Sequence, residues 1–131
     1  MIKFTTTNPQ ELFDRAVGHL RILTNRNTDV HGQCAYGGKR CAVGALLEWD
    51  EDGAVDVAEW DRAGTYDVTE ILGYVVNGDA LDKDTVDLLG ELQTCHDSSI
   101  NWDYGVGLNA YGEERLYEIA EHYGLDYLEP V

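Results

Sequence analysis

Five of the seven His and Cys residues of this 131-residue chain, side chains that bind soft or borderline metal ions, fall in two groups. His31, Cys34 and Cys41 form the first, Cys95 and His96 the second. Structural zinc takes four such ligands in a tetrahedron, often two from a tight turn and two from a helix. The spacing His-x2-Cys-x6-Cys with a distant Cys-His matches no standard knuckle. The competing reading is that Cys34, Cys41 and Cys95 are small buried apolar residues, as free cysteines usually are. The same residues also allow thiol chemistry. Cys41 falls near a predicted helix start, where the helix dipole lowers a thiol pKa. His96 would be its base, with Asp97 or Asp103 as the orienting group. The acid-rich surroundings oppose a thiolate, and His96-Asp97 reads equally as a pair that closes a helix and anchors the next loop.

A third constellation runs from Glu48 to Glu59. It follows much of the twelve-residue EF-hand pattern, with Asp50, Asp52, Gly53, Asp56 and Glu59 in register. Glu48 stands where Asp is usual, and no second loop pairs with it. An acidic surface loop accounts for the same residues. The fourth constellation is the acid field itself: Asp50, Asp52, Asp56, Glu59, Asp84, Asp87 and Glu91 are its candidate interaction surface. Such a surface attracts basic partners and repels DNA. Tyr104, Tyr111, Tyr117, Tyr123 and Tyr127 add aromatic groups that interfaces favour. Plain solubility explains the same charge.

The charge balance excludes several function classes. The formal net charge is -16. Residues 1–40 hold six bases and three acids, whereas residues 41–131 hold three bases (Arg62, Lys83, Arg115) and 22 acids. A protein that neutralises phosphates needs clustered Lys and Arg, so direct nucleic-acid binding is not expected. The first 40 residues keep a small basic set in Arg15, Arg21, Arg26, Lys39 and Arg40. Docking on an anionic membrane is disfavoured for the same electrostatic reason. No run of about 18 apolar residues suggests a membrane span, and Met1–Thr5 lacks a secretory pattern. Three cysteines are too few for a disulfide scaffold, which fits a reducing, cytoplasmic setting.

The elements that must position these groups are mostly helices. Asn8 is a good N-cap, Pro9 suits the first helical position, and Leu12, Phe13, Val17 and Leu20 follow at helical spacing. Gly37-Gly38 predicts a β-hairpin that sets Cys34 opposite Cys41. Ala42–Leu47 reads as a short buried helix. A third helix is predicted to open at Thr65-Tyr66-Asp67, with Val68, Ile71, Leu72 and Val75 inward, ending at Asn77-Gly78. A fourth starts near Asp84-Thr85 and carries Val86, Leu89, Leu92 and Cys95. Residues 101–112 read as loop. A last helix spans about Glu113 to Tyr123 and closes at Gly124. The expected fold is one compact domain over residues 1–131, mainly α with a small β-hairpin.

The segment Cys34-Ala-Tyr-Gly-Gly-Lys-Arg-Cys-Ala-Val-Gly-Ala-Leu-Leu resembles a family of small, uncharacterised phage and prophage proteins. Leu92-Gln-Thr-Cys-His-Asp97 and Leu116–Leu125 look similar too, so the likeness covers about Phe13 to Leu125. Cys34, Tyr36, Cys41, Gly44, His96 and Asp97 are the positions that carry it. Two departures stand out: Ala45 replaces a third cysteine, and Glu48–Glu59 lacks a proline. The resemblance implies a viral context and a shared fold rather than an activity. The leading expectation is a non-enzymatic accessory protein in the host cytoplasm that needs no cofactor. It would bind a basic or nucleic-acid-binding protein and inhibit a host factor. The alternative is a zinc- or thiol-dependent protein built on the Cys/His cluster.

Overall fold

The computed structural model describes residues 1–23, 36–37, 42–63 and 67–130. Five helices and two small antiparallel strand pairs make a mainly helical α+β fold among these residues. Helix α1 spans Pro9–Ile22. Asn8 caps it by accepting from the Glu11 N–H at 3.0 Å, as the sequence predicts. Its inward stripe of Leu12, Phe13, Ala16, Val17 and Leu20 enters the core. α1 packs against α4 (Lys83–Asp97), and α4 against α5 (Ala110–His122).

The larger strand pair comes from distant parts of the chain. β1 (Ile2–Phe4) runs antiparallel to β2 (Leu47–Trp49), with Lys3 opposite Glu48. Each strand alternates inward apolar and outward charged residues, the pattern of a half-buried sheet. This corrects the buried helix expected over Ala42–Leu47. Only Gly44–Leu46 is helical there, as a single 3-10 turn, and Leu47 already lies in the strand. Asn77 extends the pairing with its side chain. Its Oδ1 accepts from the Phe4 N–H at 2.8 Å, and its Nδ2 donates to the Phe4 carbonyl at 3.0 Å.

α2 occupies Glu51–Ala63, where an acidic loop was expected. Asp50 caps it by accepting from the Gly53 N–H at 2.9 Å, and Val57 and Trp60 face inward. The third predicted helix is shorter than expected. α3 covers Val68–Ile71, the chain tightens into a 3-10 turn over Leu72–Tyr74, and Val75 extends beside Ile2. α5 starts three residues before the predicted Glu113, because Asn109 caps it through the Gly112 N–H. Gly124 follows with φ +67, as a helix-ending glycine should.

The stretch read as loop holds the second strand pair, β3 (Trp102–Asp103) with β4 (Gly107–Leu108). Its turn is closed by the Val106 N–H donating to the Asp103 carbonyl at 3.0 Å. Gly105 there takes φ +78, a left-handed conformation that favours glycine. The hairpin predicted at Gly37-Gly38, with the pairing of Cys34 and Cys41, lies outside the described residues. No helix among the described residues is long and apolar enough to cross a membrane.

Candidate functional site

Tyr36 is where the first sequence motif meets the rest of the molecule. Its side chain is buried beside Trp60, edge to face at 5.5 Å between ring centres. Its hydroxyl accepts from Gln93 Nε2 at 3.1 Å. The Asp61 carboxylate, near the end of α2, accepts from the Tyr36 and Gly37 N–H groups, each at 2.7 Å. One carboxylate thus grips two successive amides. Burial holds the Tyr36 phenol well above its ordinary pKa, so it stays neutral. The Gln93 contact joins the segment around Tyr36 to α4.

His96 sits three residues beyond Gln93, in the last turn of α4. It is fully buried, and its Nδ1 lies 2.8 Å from Asp97 Oδ1. Its ring stands edge to face with Trp102, and its carbonyl accepts from the Trp102 indole N–H at 2.9 Å. His96 and Asp97 are the last two residues of α4, Ser98 caps the helix through the Thr94 carbonyl, and His96 ties down Trp102 of β3. Nε2 of His96 is buried without a hydrogen-bond partner. With Nδ1 at the carboxylate, Nε2 is the ring nitrogen turned away from it. That is the orientation a general base needs.

Cys95 does not belong to this site. Its thiol faces the Gly112 carbonyl at 4.0 Å and Asn101 Nδ2 at 3.7 Å, inside the core. Burial pushes the thiol up to about 12, so it stays a protonated core group at neutral pH. Of the zinc set, Cys95 and His96 lie among the described residues. His31, Cys34 and Cys41 lie outside the described residues, and among the described residues no group of three His, Cys, Asp or Glu is placed to hold a metal ion. The placement of Cys41 against His96 and Asp97 lies outside them as well. Asp103, the other proposed orienting group, is on β3 and accepts from Asn109 at 3.3 Å.

The calcium loop is also corrected. Asp52, Asp56 and Glu59 stand on α2, not around a loop. Their spacing of four and three residues spreads them along roughly 10 Å of one helix face at 1.5 Å per residue, too far to wrap one ion. Asp50 is held by the Met1 amino group and the Gly53 amide, which lower its pKa. As a surface, the same residues form an acidic stripe on α2, and Asp84, Asp87 and Glu91 form another on α4. Several members have partners: Glu59 pairs with Arg62, Asp87 with Lys83, and Glu91 with Arg115.

One feature of α5 escaped the sequence reading. Arg21 of α1 forms a two-pronged pair with Glu113, at 2.7 and 3.0 Å, and donates to the Leu128 carbonyl at 2.7 Å. Its guanidinium lies 5.5 Å from the Tyr127 ring centre, and the Tyr127 hydroxyl donates to Glu113 at 2.8 Å. Residues 125–128 are thereby clamped to α1 and α5. Only the aromatic spacing hinted at this, since the partners stand 92 and 107 positions apart.

Comparison of the chain with protein-family models, curated proteins and solved structures finds no match.

Proposed function

We propose that this chain is a non-enzymatic acidic accessory protein, of the phage kind its sequence resembles. It acts in the host cytoplasm by binding a basic protein. The partner is a nucleic-acid-binding or defence factor whose phosphate-contacting surface it covers. One observation carries the reading. Lys3, Arg21, Arg62, Lys83 and Arg115 are each tied to a carboxylate of the chain itself. With those cations internally engaged, the exposed Asp52 and Asp84 and the half-buried Asp56 keep their field for a partner. The test is capture of host-cell proteins on the immobilised chain, followed by elution with a salt gradient. Bound proteins should be basic and leave in moderate salt. Neutral or acidic proteins that resist salt would contradict the reading.

A second reading is favoured by the buried, unpaired Nε2 of His96. It is a thiol-dependent hydrolase with Cys41 as nucleophile, His96 as base and Asp97 as orienting group. A Cys41→Ser variant that captures partners and acts in cells as well as the parent protein discards it.

A further inference from the structure

The proposed function assigns no use to the tyrosines of the C-terminal third. Two of them line a cleft between α5 and the clamped tail. The cleft has about 490 Å³ and is bounded by Glu113, Glu114, Tyr117, Tyr127, Glu129 and Pro130. It is shallow and largely open to solvent. The Tyr117 and Tyr127 rings meet edge to face, with centres 5.6 Å apart and planes at 77°. Tyr117 remains 45% exposed, so part of its ring is open to a ligand.

We infer that this cleft receives a Lys or Arg side chain of a basic protein partner, between the Tyr117 ring and the Glu114 and Glu129 carboxylates. The inference rests on the reading of the chain as a binder of basic proteins and names a contact point for it, distinct from the α2 and α4 stripes. Charge selects the occupant. The lining contains three glutamates and no Lys or Arg. Glu113 is already engaged by Arg21, whereas Glu114 and Glu129 are exposed. A second copy of this chain would bring acid against acid, and a nucleic acid would bring phosphate. The chain itself already applies the same recognition, because the Arg21 guanidinium sits at the Tyr127 ring with Glu113 as its counter-ion. An aromatic face combined with carboxylates holds a cation more strongly than either group alone. The wall is pre-formed as well. Arg21 holds Leu128, and Gln10 holds Asp126 by two hydrogen bonds, so little ordering accompanies binding.

The test is an NMR titration of the full chain with a hexa-arginine peptide at low salt. Tyr117 and Tyr127 ring resonances should shift. Tyr117→Leu should weaken binding about five-fold, the size of one cation–π contact. The double variant Glu114→Gln/Glu129→Gln should weaken it to a similar degree without touching the core. Unmoved Tyr117 and Tyr127 resonances, with shifts confined to α2 and α4, overturn the cleft and leave the acidic-surface reading standing. Unchanged affinity in both variants does the same. No shift anywhere at low salt overturns both.

Discussion

Burial fixes what Cys95 can do. With its thiol pushed up to about 12, it is almost entirely protonated at neutral pH. Alkylation with iodoacetamide at pH 8 should therefore leave Cys95 unmodified in the folded protein and modify it in urea, as read by peptide mass spectrometry. Rapid native alkylation would mean that the core around Gly112 and Asn101 is open. The neighbouring His96 faces Trp102 and Asp97, because consecutive helical residues point about 100° apart. Adjacent Cys and His in a sequence suggest a shared ligand set, but helical geometry sends them to different neighbours here. The His96–Asp97 contact was legible because it is local. The Tyr36–Gln93 contact was not, since its partners are 57 residues apart and nothing in either segment specifies the other.

Elements with a local signal were readable, and those made by distant pairing were not. Asn8-Pro9 marked the start of α1, and an Asp or Asn caps α3, α4 and α5 as well. Three-residue strands give too short an alternation to detect, so β1 and β2 emerge only when the chain brings Ile2 to Trp49, 47 positions apart. Glycine positions report the packing directly. A Cβ on Gly112 would come within 2.4 Å of Leu108 Cδ1 and 2.8 Å of the Asn101 carbonyl oxygen, whereas one on Gly18 meets nothing within 4 Å. Gly112→Ala should destabilise by about 1–3 kcal/mol through overpacking. Gly18→Ala should stabilise α1 by up to about 1 kcal/mol. Urea denaturation midpoints check both, and equal shifts would contradict the tight α5–β4 contact. A pH effect belongs at this scale too. Thr85 hydrogen bonds lower the Asp82 pKa in the folded chain. The stability Asp82 contributes is thus present above its unfolded pKa of about 3.9 and lost as pH falls through the lower folded value. Asp82→Asn keeps a capping oxygen that does not titrate, so its urea midpoint should fall less between pH 7 and pH 3 than that of the parent protein.

Across the whole molecule the charge is better understood by position than by sum. Arg21, one of the early bases, is spent on clamping residues 125–128 to α1 and α5, so it offers nothing to a phosphate. The notion of a basic N-terminal face loses that member, and Lys3 is likewise engaged by Glu48. The acids divide among stripes on α2 and α4 and the tyrosine cleft beside α5; helical spacing predicts the α4 stripe, whereas residues 51–59 read as loop. Helical character was legible because three long segments repeat apolar residues at helical spacing. The distribution of charge was not, because ion pairs such as Arg115–Glu91 depend on which helices become neighbours. If outward carboxylates bind a basic partner, the affinity must depend on salt. For a partner captured on the immobilised chain, the dissociation constant should rise at least about ten-fold between 50 and 300 mM salt, as screening of exposed charges requires. In Asp52→Asn/Asp56→Asn/Asp84→Asn it should rise less steeply with salt. A dissociation constant that stays flat across this range in the parent protein would contradict the account.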